Sequence, residues 1–208
     1  DENGRIVYNS LVETVKEGEY LYFNAKGHLD PNPEAYGYLV GDNGIIRKNA
    51  WVEKDGKWYY ADHNGKTVRN TWQGAYYLKE NGEMAKNEWI YDKNYSSWYY
   101  LAENGHYVSD KWEKVNGLWY HFRRGGELDT NQWVGSYYVK GSGSMAVNEW
   151  VYDKNYSSWY YFDGNGFYIT DKWEKINGKW YHFRRGGELD TNKWIGSYYV
   201  TADGSMRE

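Results

Sequence analysis

WEKVNGLWYHFRRGGELDTNQ, the stretch from Trp112 to Gln132, contains the repeating element of the whole chain. Asn116-Gly117 and Gly125-Gly126 supply the positive φ values that tight turns require, and the Trp119–Phe122 run between them suits a pleated surface. The segment reads as one β-hairpin followed by a polar return. It recurs 61 residues later as WEKINGKWYHFRRGGELDTNK from Trp173. Trp51, Trp112 and Trp173 share that spacing, as do Trp58, Trp119 and Trp180, and Trp72, Trp133 and Trp194. Within the long repeat the leading tryptophans Trp89, Trp112, Trp133 and Trp150 are separated by 23, 21 and 17 residues. Each step is a hairpin whose first turn varies: a longer loop around Asp92–Ser97 in the 23-residue unit, and a shortened turn in the 17-residue unit, where Ser136 replaces a hairpin Trp.

An isolated two-stranded hairpin is marginal in water, so hairpins at this spacing must stack to bury their faces. The expected fold is all-β, a β-solenoid of stacked β-hairpins without a separate globular core. A propeller, with a period near 40 to 45 residues, fits the three-hairpin block less well. The pattern predicts an N-terminal lead-in over residues 1–12, two degenerate capping repeats over 13–50, and aromatic hairpin repeats over 51–208. Glu13 and Glu34 stand where leading tryptophans belong, and Pro31 and Pro33 mark a loop.

The composition agrees. Of 208 residues, 13 are Trp and 25 are Tyr, the net charge is −4, and there is no Cys. Aromatics therefore take the place of a Leu/Val core, and disulfide scaffolds, cysteine nucleophiles and thiolate metal sites are excluded. A mean hydropathy of −1.00 and the lack of a long apolar run argue against a transmembrane segment. Balanced charge argues against a nucleic-acid partner. No signal peptide precedes Asp1, and the polar start reads as that of a processed or excised chain.

The recurring pattern of a leading Trp, then Gly-x-Trp-Tyr-Tyr and Asn-Gly, seen at Trp51, Gly56–Tyr60 and Asn64-Gly65, resembles the choline-binding repeats of Gram-positive surface proteins and lysins. The 23/21/17 alternation and the WVYDKNYSSWYYF unit are most similar to the choline-binding module of cell-separating endo-β-N-acetylglucosaminidases. The resemblance implies a left-handed solenoid and a secreted, cell-wall-associated, non-catalytic module of a larger hydrolase. Its partner would be choline or phosphocholine on teichoic or lipoteichoic acid, with no cofactor. α-Glucan-binding repeats of extracellular glucosyltransferases carry similar motifs and are the alternative. A permanent cation wrapped in methyl groups suits a box of aromatic faces, so the chemistry fits choline independently.

In that family a cage combines the leading and hairpin Trp of one unit with an aromatic of the next. Carried over, this gives Trp51, Trp58 and Tyr77; Trp112, Trp119 and Tyr138; and Trp173, Trp180 and Tyr199. The 23-residue units offer Trp89 with Trp98, and Trp150 with Trp159, closed by His121 and His182 where the pattern expects Tyr. Trp72 with Tyr100 and Trp133 with Tyr161 are expected to be weak or structural. Arg123-Arg124 and Arg184-Arg185 are candidates for phosphate if they flank a cage, with solvated turn charges as the plainer reading. The Asp92 loop lacks the glycine of an EF-hand, and the five histidines have no zinc-site spacing.

Overall fold

The computed structural model describes residues 5–207; the first residues of the lead-in lie outside that range. Strands pair in chain order into two-stranded antiparallel sheets, and a single 3-10 turn, Pro33–Tyr36, is the only helix among the described residues. None there is long and apolar enough to cross a membrane. The chain divides after Val108 into two compact units.

The first unit contains β1 (Ser10–Glu13) with β2 (Tyr20–Phe23), β3 (Ala50–Lys54) with β4 (Lys57–Ala61), β5 (Thr71–Gln73) with β6 (Tyr76–Leu78), and β7 (Glu88–Asp92) with β8 (Ser97–Leu101). Leu11, not Glu13, lies opposite Tyr22 and so takes the leading position, because the loop joining β1 to β2 is longer than the tight turns. The second degenerate repeat forms the 3-10 turn and isolated bridges such as Val40 with Ile46 rather than a paired hairpin. The second unit holds β9 (Lys111–Val115) with β10 (Leu118–Phe122), β11 (Gln132–Val134) with β12 (Tyr137–Val139), β13 (Glu149–Asp153) with β14 (Ser158–Phe162), β15 (Lys172–Ile176) with β16 (Lys179–Phe183), and β17 (Lys193–Ile195) with β18 (Tyr198–Val200).

Local chemistry fixes each hairpin. Asn116 and Gly117 adopt φ of 49° and 86°, the left-handed pair that a two-residue turn matched to strand twist needs. In every paired hairpin after the first, the last residue of the second strand is then buried completely: Ala61, Leu78 and Leu101 in the first unit, and Phe122, Val139, Phe162, Phe183 and Val200 in the second. These residues give each unit an apolar spine, which the abundance of Trp and Tyr concealed in the composition.

Register sets which side chains meet. Trp112 pairs with His121, and Lys114 with Trp119. Directly opposed residues project to the same side of an antiparallel ribbon and neighbours along a strand to opposite sides. Trp112, Lys114, Trp119 and His121 therefore share one face, and Tyr120 and Phe122 share the other.

Candidate functional site

Trp112 and Trp119 line a recess of about 300 Å³ together with Tyr137, Met145 and Asn165. The ring centres of Trp112 and Tyr137 are 5.4 Å apart at 69°, so the two faces form a corner. Met145 is held there by its backbone N–H, which donates to the Trp119 carbonyl at 2.8 Å. The Asn165-Gly166 turn closes over it. A Cβ on Gly166 would lie 2.6 Å from the Met145 methyl, and its φ of +83° is a glycine conformation, so this turn needs Gly on both counts.

The third wall is thus Tyr137, not Tyr138. In the shortened hairpin Trp133 pairs with Tyr138, which turns Tyr138 toward its own leading tryptophan at 5.3 Å and leaves Tyr137 on the face toward the preceding hairpin. Tyr138 is buried in a cluster with Ala146, Tyr160 and Phe162, and burial, with the Asp153 charge nearby, pushes its phenol pKa up. The same one-residue shift holds at the other two expected sites. Trp51 meets Tyr76 at 4.9 Å while Tyr77 packs on Trp72. Trp173 meets Tyr198 at 5.8 Å while Tyr199 packs on Trp194. Met84 and Met206 repeat the Met145 arrangement, donating to the carbonyls of Trp58 and Trp180. The methionines went unassigned in the sequence, although each follows its turn glycine by two residues.

Trp150 and Trp159 also line a recess, closed by Tyr181, Leu189 and Asp203. Tyr181 stands 4.9 Å from Trp150, so it takes the place expected of His182. Hydrogen bonds from Thr201 and Ser205 hold the Asp203 carboxyl down to about 2, so the recess carries a fixed negative charge at neutral pH. His182 instead pairs with Trp173 in its own hairpin, and its Nδ1 lies 2.7 Å from Asp190 Oδ2. His121 is placed identically, opposite Trp112 and 2.6 Å from Asp129. It belongs to the second compact unit, whereas Trp89 and Trp98 belong to the first. Arg123 and Arg184 donate through Nε to the same buried carboxylates, each at 2.6 Å, and so are engaged as structural ion pairs.

The sites at Trp72 and Trp133, leading tryptophans of 17-residue units, are filled in. Trp133 is enclosed by Tyr138, Tyr160, Phe162 and Tyr168, so the packing aromatic is Tyr160 rather than Tyr161. Trp72 is likewise met by Tyr99, at 4.9 Å, rather than Tyr100. The Trp133 indole N–H donates to Asp153 at 2.6 Å, and the same carboxylate accepts the backbone N–H groups of Asn155 and Tyr156. Asp92 serves Trp72 in the same way, so these aspartates shape the long loop. Trp133→Phe keeps the ring packing but deletes the indole donor; an unfolding free energy lower by about 1–3 kcal/mol in urea is expected. Retention of the folded variant on a quaternary-amine resin is expected to match the parent.

Comparison with known proteins identifies the repeats. The choline-binding repeat model matches residues 66–96 and 127–168, and the putative cell wall binding repeat model matches 49–66, 87–107, 110–128 and 171–189. The chain belongs to the choline-binding repeat family. Among curated relatives of this choline-binding repeat protein, a putative endo-beta-N-acetylglucosaminidase of Streptococcus pneumoniae is 35% identical over 89 residues. That match covers 43% of this chain and only 14% of the relative. Among solved structures, the modular autolysin LytC from Streptococcus pneumoniae superposes with a TM-score of 0.75 at 41% identity, over 82% of this chain and 40% of that one. Choline binding protein F from Streptococcus pneumoniae gives a TM-score of 0.59 at 30% identity, over 80% and 60% respectively. The family's repeats thus account for the hairpin pattern, and the chain spans less than half the length of the glucosaminidase and the autolysin that it matches.

Proposed function

We propose that this chain is a non-catalytic cell-wall targeting module, a β-solenoid that binds choline or phosphocholine of teichoic acids through several aromatic cages. The observation that carries this reading is the recess of Trp112, Trp119, Tyr137 and Met145, which offers three π faces and a thioether to a cation that cannot donate conventional hydrogen bonds. The corner geometry weighs against the α-glucan alternative. A sugar ring stacks on a flat platform, whereas the rings of Trp51 and Tyr76 meet at 68°, and those of Trp150 and Tyr181 at 66°. Names of the relatives point the same way, toward a secreted Gram-positive wall hydrolase whose reactive part this module would localise.

A cage worth about 4 kcal/mol binds near millimolar, and linking several raises avidity by about 10²–10⁴. Tryptophan fluorescence is expected to saturate with millimolar choline and to ignore dextran. Saturation by dextran alone would replace this reading with the glucan one.

A further inference from the structure

One position contacts the third-wall tyrosine repeatedly and changes character along the chain. It is the residue after the left-handed glycine of the turn that closes each cage. Phe167 packs on Tyr137 at 4.9 Å. His106 packs edge-on against Tyr76 at 4.5 Å, with Nε2 at 2.5 Å from the Tyr76 hydroxyl. Lys66 places its ammonium 3.4 Å from the centre of the Tyr38 ring. At a different position, four residues past Gly44, Lys48 covers Tyr20 of the first hairpin at 4.2 Å. A neutral ring, a titratable ring and a permanent cation therefore occupy equivalent places.

We infer that this rim residue sets the cation affinity of its cage, and that His106 makes the Trp51–Trp58–Tyr76 cage weaken in mild acid. The inference rests on the proposed choline reading. Imidazole gains its charge within the range of about pH 5 to 8, and His106 is exposed. The titratable group that it meets is the Tyr76 hydroxyl on β6; Glu103 belongs to its own turn, and Glu53 pairs with Trp58 on the leading hairpin. A cation seated on Tyr76 would be on the order of 9 Å from the imidazolium, and repulsion at that range weakens binding about two- to fivefold at an effective dielectric of about 40 to 80. Lys66 carries the same effect to its limit, because its tethered ammonium group already covers Tyr38.

The three methionines of the chain provide the test, since one sits at each of the cages led by Trp51, Trp112 and Trp173. With carbon-13 methyl-labelled methionine and about 10 mM salt, where screening is weak, choline titrations followed by NMR read each cage separately. The apparent Kd at Met84 is expected to rise about two- to fivefold between about pH 7.5 and 5.5. His106→Phe, which copies the residue at 167, is expected to abolish that rise, and Phe167→His to create one at Met145. A rise that survives His106→Phe, or a flat response in the parent, overturns the inference while leaving the choline reading intact. Silence of all three methyl signals at both pH values would instead remove the choline reading and this inference with it.

Discussion

Alanine at Tyr137 and alanine at Tyr138 are expected to give opposite phenotypes. Tyr137→Ala should leave the fold intact, because that ring is only partly buried, and should weaken the Trp112 cage about tenfold through loss of one π wall and its apolar contact. Tyr138→Ala deletes a ring that is 7% exposed and packed against Trp133, Tyr160 and Phe162. A cost of about 3–5 kcal/mol is expected for a cavity of that size. Calorimetric titration with choline and urea denaturation on both variants separate the two roles. A stability loss at Tyr137 with unchanged choline binding would show that the cage is assigned to the wrong ring.

The distinction between those adjacent tyrosines marks where reading the sequence stopped short. Repeat spacing, Asn-Gly turns and the Trp-Gly-x-Trp pattern were enough to place the aromatic hairpins and to bring Trp112 beside Trp119. Choosing between Tyr137 and Tyr138 requires counting pairs outward from the turn. With Gly135-Ser136 as a two-residue turn, Val134 meets Tyr137 and Trp133 meets Tyr138, so strand parity assigns Tyr138 to its own hairpin's face. The same count applied to Asn177-Gly178 sends Tyr181, and not His182, toward the preceding unit. Residues arriving from distant turns, such as Met145 and Asn165, carry no comparable signal, because their positions depend on how successive hairpins stack.

Asp190→Ala is expected to be the most destabilising charge deletion in the second unit. Its carboxylate is 1% exposed and accepts from His182, Arg184 and Lys193. Burial alone would raise its pKa, but these hydrogen bonds outweigh it and hold the carboxyl below its ordinary value. Removing the anion strands three donors, and a loss of about 3–5 kcal/mol is expected by urea denaturation. A carboxyl depressed on folding stabilises the native state above the unfolded-state value of about 3.9 and ceases to do so as pH falls through the folded value. The parent is therefore expected to lose stability below about pH 4, and Asp190→Ala to lose less over that same interval. Equal acid sensitivity in both proteins would assign the acid transition to other carboxylates.

Two-stranded sheets have a consequence for crowding. Every ribbon in this array ends in free edges, and open edges invite pairing between molecules. Here the strands are only three to five residues long. Shortly after each turn the chain bends back to form a single bridge with the end of its own second strand, as Leu101 does with Tyr107, Phe122 with Leu128 and Phe183 with Leu189. Ion-paired lysines sit at the strand ends, among them Lys54, Lys57, Lys111, Lys172 and Lys179. Short, self-capped edges give a neighbouring copy no continuous template to extend, which lets many aromatic hairpins be concentrated at one surface without fusing into a shared sheet.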